Sequence, residues 1–167
     1  NILFDIKKLF ILFVTGILIL GNWTLWIYAV SADKIIDSSF GYFIFPILSV
    51  FLGFLFLNEK LNKQRIISIL LVAVSTLYLL LNMTTFPWVG LGVAFLWSSY
   101  NLLRKKINVE TDIGLLIESL FILPIIGIIL YYIITTNNND FDLRNLSLAS
   151  LIILAGPMTL IPLFLYV

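Results

Sequence analysis

Leu9 to Val30 reads LFILFVTGILILGNWTLWIYAV, a run without a charged residue in which Thr15, Asn22 and Thr24 carry the non-aromatic polar groups. A helix rises 1.5 Å per residue and crosses ~30 Å of hydrocarbon in ~20 residues, and this run is that long. Five more follow it: Phe40 to Leu57, Ile66 to Leu81, Phe86 to Leu103, Ile113 to Ile134 and Leu148 to Val167. None alternates polar and apolar residues as a barrel strand does, and a backbone in lipid must satisfy its own hydrogen bonds, so the runs predict helices. The expectation is an all-α integral membrane protein with six transmembrane helices. The third run is short and is expected either to tilt little or to borrow Asn82 and Met83. Signal-peptide cleavage after Val30-Ser31-Ala32 is disfavoured, because the first run exceeds the usual ~7–15-residue signal core and Asn22 interrupts it.

Composition points the same way. Of the 167 residues 61% are hydrophobic and 11% charged, with mean hydropathy +1.10. Soluble domains carry about 25% charged residues, so too little polar surface exists here to wrap a globule. A net charge of +1 offers no basic face for nucleic acid. The absence of Cys and His removes disulfides, thiolate and imidazole ligands and the commonest general base. No Walker A motif, complete dinucleotide-binding loop or selectivity filter is present, which argues against ATP hydrolysis by this chain and against a channel. The chain opens at Asn1 without Met and stops at Tyr166-Val167 inside an apolar run, so it is expected to be an internal piece of a longer protein.

The basic residues alternate between connections. Lys7, Lys8, Lys60, Lys63, Arg65, Arg104, Lys105 and Lys106 fall on one side, and only Lys34 and Arg144 on the other. Positive charge marks the cytoplasmic side, so the first run is expected to leave the cytoplasm. Ser31 to Ser39, Asn82 to Thr85 and Thr135 to Ser147 should face outward.

Polar groups at depth are the functional candidates, since each costs free energy that packing alone does not require. Glu118, the one acid inside a run, lies roughly 7–8 Å from the basic end at the helical rise. It can snorkel, hold a substrate or proton, or pair with Arg104 or Lys105. Asn22 and Trp26 share a face one turn apart; Asn22 is interhelical glue or a cavity hydrogen bonder, and Trp26 a belt anchor or a ligand contact. Tyr42, Pro46, Ser49 and Gly53 form one stripe that should face protein or water, and Pro46 deprives the Tyr42 carbonyl of its helical donor. Pro124, Pro157 and Pro162 interrupt later runs similarly. Gly90, Ala94 and Ser98 follow the small-xxx-small spacing of close helix contact. Trp97, Tyr100, Asn101 and Arg104 make a polar-aromatic stripe that is either a belt and anchor or a cavity wall.

Gly41-Tyr42-Phe43-Ile44-Phe45-Pro46, then Leu57-Asn58-Glu59-Lys60-Leu61, with Asn22-Trp23, Tyr100 to Lys106, and Leu115 to Glu118 followed by Leu123-Pro124, resemble the RarD-type branch of the EamA transporters in the drug/metabolite transporter superfamily. The resemblance implies a ten-helix bundle of two inverted five-helix repeats. Residues 1–83 would be helices three to five of the first repeat, and residues 84–167 helices six to eight of the second. It also carries Trp23, Tyr42, Trp97 and Tyr100 into a central cavity wall.

The expected function is a secondary transporter of the bacterial inner membrane. It would move a small organic metabolite, such as an amino acid or an amphenicol-like drug, by alternating access, with proton coupling as an option. The candidate substrate-binding residues are Asn22, Trp23, Trp26, Tyr42, Pro46, Trp97, Tyr100 and Glu118. No catalytic residue, metal or cofactor is expected, and the partners are the substrate and the lipid bilayer. A lipid-modifying membrane enzyme and a non-transporting scaffold are the rival readings.

Overall fold

The computed structural model describes residues 5–107, 109–136, 147, 149–151, 153–155 and 157–158. Five helices account for most of them: α1 (Ile6–Ser31), α2 (Ile35–Leu57), α3 (Lys63–Leu81), α4 (Trp88–Ile107) and α5 (Thr111–Thr135). The described residues of the sixth apolar run are helical too. Arg144, the Asn137 to Asp140 tract, Gly156, Pro162 and the end of the run lie outside the described residues.

The helices extend beyond the apolar runs, and their caps explain where. Asp5 accepts hydrogen bonds from the backbone N–H groups of Lys7 and Lys8, which starts α1 ahead of Leu9. Asn62 accepts one from Arg65 N–H at 2.8 Å, so α3 gains its length at Lys63. Asn82 is instead its C-cap, and the extension expected at Asn82 and Met83 falls at the other end. Asn58, in the left-handed region at φ 52°, ends α2, and its N–H returns to the Gly53 carbonyl.

Two compact units divide the chain, Asn1–Pro124 and Ile125–Val167. Within the first, α4 lies along both α2 and α1, while α3 packs on α2. The α2–α4 crossing is close enough to demand glycine on both sides. A Cβ on Gly41 would stand 2.4 Å from the Gly90 carbonyl oxygen, and one on Gly90 2.2 Å from that of Asp37. Ala94 and Ser98 continue this seam and are buried, as small-residue spacing leads one to expect. Asp37, expected in an outer loop, is buried inside α2, where its Oδ1 accepts from Gly90 N–H at 3.0 Å near the start of α4. A carboxylate there also faces the positive end of the α4 dipole.

Antiparallel order gathers the basic segments. Glu59, after α2, pairs with Lys105 at the end of α4, and Leu12, Ile107 and Ile117 join the start of α1, the end of α4 and the start of α5 in one apolar cluster. At the opposite end the Lys34 ammonium lies 4.8 Å from the Trp88 ring centre, so the α1–α2 connection meets the start of α4.

Among the described residues four helices, α1, α2, α3 and α5, are long and apolar enough to cross a membrane. The fourth expected span, α4, is not among them. It carries Ser98, Ser99, Tyr100 and Asn101 in its second half and Arg104, Lys105 and Lys106 in its last turn. A helix flanked by α1 and α2 turns much of its surface to protein, so it tolerates polarity that a lipid-facing helix does not.

Candidate functional site

Three features of the first unit bring polar side chains together. The first is a cavity of about 100 Å³ between α1, α2 and α4. Asn22, Trp23 and Trp26 enter it from α1, Tyr42 and Phe45 from α2, and Trp97 from α4. Helical spacing explains the convergence: Asn22 and Trp26 are one turn apart, as are Gly41 and Phe45. Trp26 and Tyr42 meet edge to face with ring centres 5.6 Å apart. The Oδ1 atom of Asn22 is buried and has no hydrogen-bond partner among the described residues. An unpaired buried acceptor is costly, and a bound molecule with an N–H or O–H group would relieve it.

The second feature is a buried charge cluster. Glu118 is only 2% exposed. Its Oε1 accepts from Thr15 Oγ1 at 2.7 Å and lies 3.6 Å from Arg104 Nε, while Oε2 accepts from Tyr100 O–H at 3.3 Å. Two helices, α1 and α4, thus hold a carboxylate carried by a third, α5. Arg104 also donates from Nη2 to the Thr111 carbonyl at 3.2 Å, and its Nη1 has no partner among the described residues. The guanidinium fits because residue 114 is glycine: a Cβ there would stand 1.6 Å from Nη1.

The third is a cleft of about 790 Å³ at the basic end, between α2, α3 and α4. Pro46, Ser49 and Gly53 of the α2 stripe line it, as do Asn101 and Arg104 of the α4 stripe. Glu59 sits at its rim between Lys105 and Arg65, the latter at 3.4 Å. The Lys105 hydrogen bond, with the fields of Lys105 and Arg65, holds the Glu59 carboxyl below the ordinary carboxylate range.

The eight sequence candidates therefore separate. Asn22, Trp23, Trp26, Tyr42 and Trp97 share the small cavity; Pro46 lines the large cleft; Tyr100 and Glu118 lie in the charge cluster. Trp97 and Tyr100 stack with centres 5.6 Å apart, which places the cavity beside the cluster. Sequence reasoning did not single out Thr15, Gly114 or Phe45 as site residues. A threonine and a phenylalanine in oily runs give no signal, and the carboxylate that Thr15 meets is 103 positions away.

Residues 1–81 match the EamA-like transporter family. Over 157 residues, 94% of the chain, it is 37% identical to protein RarD of Salmonella typhi, covering 53% of that protein. An uncharacterized transporter of Vibrio cholerae is 38% identical over the same share of the chain and 52% of its own length. The chloramphenicol-sensitive protein RarD of Pseudomonas aeruginosa is 30% identical over 71% of the chain and 40% of its own. The chain thus spans about half the length of the curated relatives it matches. No solved structure is significantly similar. Its likeness to the RarD-type EamA transporters extends over nearly every residue described above, and the chain is a multi-pass membrane protein.

Proposed function

We propose, from the premise that this chain is a relative of the RarD-type EamA transporters, that it is part of a secondary transporter of small organic metabolites. The observation that carries the reading is the cavity: five of eight side chains chosen for polarity or aromaticity at depth converge there from three helices, around an amide oxygen unpaired among the described residues. Aromatic faces suit flat or amphipathic solutes, and the amide selects among their donors. Amino acids and amphenicol-like drugs are the substrates to try first, the latter because one relative is named for chloramphenicol sensitivity.

The cavity holds about three waters at ~30 Å³ each, which admits a head group or ring edge in this conformation. Residues 1–83 and 84–167 would belong to two inverted repeats of a ten-helix bundle, whose remaining helices complete the pocket. The basic end faces the cytoplasm of the bacterial cell, and all six apolar runs span the inner membrane. Pro46 supplies a missing rung in α2 about which the helix rocks between inward and outward states.

Glu118 is the carboxylate placed to couple transport to protons, because its protonation would loosen its hold on Arg104. Counterflow of labelled amino acids and chloramphenicol in proteoliposomes of the full-length protein tests the proposal. Uptake supports transport, product formation instead indicates a lipid-modifying enzyme, and neither indicates a scaffold. With uptake in hand, Glu118→Gln should abolish its pH dependence while the protein still inserts and folds. An unchanged pH profile removes Glu118 from coupling.

A further inference from the structure

The cavity and the cleft share one lining residue, Phe45. On α2 the lining passes from cavity to cleft between Tyr42 and Pro46, and on α4 between Trp97 and Asn101. Each change takes four residues, about 6 Å of helix. The wall between the two spaces is therefore about one helical turn thick, and Phe45 lies in it at the middle of α2. Its chemistry changes across that wall: Arg65, Lys105 and Asn62 line the outer reaches of the cleft, whereas tryptophans and Tyr42 line the cavity.

We propose that cleft and cavity are successive stations on one solute path and that Phe45 is the partition between them. This rests on the transporter reading above. Three observations make Phe45 suited to that role. It is half-buried, so its ring is not locked in a core on all sides. Its carbonyl accepts from Ser98 Oγ at 3.5 Å, which ties the backbone to α4 and leaves the side chain as the part that moves. The next residue is Pro46, whose missing N–H weakens the helix one position away. A phenyl ring turns about two torsions, so it can clear a passage without unfolding a turn. Its bulk then decides which solutes pass from the cleft, a restriction distinct from recognition by Asn22.

Because the 167 residues contain no cysteine, an introduced thiol reports local access directly. Asn22→Cys places one in the cavity and Ser49→Cys one in the cleft. The full-length protein, with any cysteine elsewhere replaced, is treated from the basic side in membrane vesicles with 2-sulfonatoethyl methanethiosulfonate. Phe45→Ala should speed labelling at position 22 about tenfold, and Phe45→Trp should slow it, with position 49 unchanged throughout. Phe45→Leu serves as the smaller change if the alanine variant does not insert. Equal rates at position 22 whatever stands at position 45, while position 49 labels normally, would overturn the partition. The assay needs no substrate, so absent counterflow together with labelling that follows Phe45 would reject the transport reading and keep the partition.

Discussion

Gly114 and Arg104 illustrate how a single residue decides what the charge cluster can contain. With its Cβ position 1.6 Å from Nη1, any side chain at 114 must evict the guanidinium from Glu118. Gly114→Ala is therefore expected to lower the unfolding temperature of the purified full-length protein. Glu118→Ala should cost on the order of 3–5 kcal/mol, because it strands a buried cation. The double variant Glu118→Leu with Arg104→Met should cost less than either single change, since it removes both charges at once. Thermal unfolding in one detergent measures Gly114→Ala, Glu118→Ala, the double variant and its two single changes. A double variant as unstable as the sum of its parts would show that the two residues do not act as a pair.

At the scale of elements, the seam between α2 and α4 sets backbone against backbone. Gly90→Ala pushes a methyl into the Asp37 carbonyl and should destabilise by about 1–3 kcal/mol. Gly127→Ala in α5 meets nothing within 4 Å among the described residues and should be neutral or stabilising by up to about 1 kcal/mol. The same unfolding assay compares them. Glu59 ties the α2–α3 connection to the end of α4, and its lowered pKa gives that tie a pH dependence. The contribution is complete above the unfolded value near 4.5 and fades as pH falls through the depressed folded value. Glu59→Gln should flatten this acid limb of the stability profile, to a small extent because the group is near solvent. These elements were legible to different degrees. Apolar length revealed the helices, since a bilayer makes that length a physical requirement, and the 3.6-residue period grouped Asn22 with Trp26 and Gly90 with Ala94 and Ser98. Helix ends were less legible because the caps at Asp5 and Asn62 lie in polar connections, outside the apolar signal. Pairings such as Thr15 with Glu118, Asp37 with Gly90 and Glu59 with Lys105 leave no local pattern: each joins distant positions, and only the packed helices bring them together.

For the whole molecule, the proposed orientation and the proposed cavity are tested by separate measurements. Asp33 is exposed beside the α1–α2 turn, while Asp37 is buried, so Asp33→Cys is the reporter for the sparsely charged end. An impermeant reagent added outside intact cells should label Asp33→Cys and spare Lys63→Cys and Lys105→Cys; the reverse pattern inverts the topology. The site is tested most directly by counterflow into proteoliposomes of the full-length protein carrying Trp97→Ala or Asn22→Leu, beside wild type and the exposed α3 change Leu71→Ala. Uptake of amino acid or chloramphenicol is expected of wild type and Leu71→Ala, with a loss of about tenfold in each cavity variant, the worth of one stacking or hydrogen-bond contact. Wild-type uptake that both cavity variants retain in full would contradict the proposed cavity.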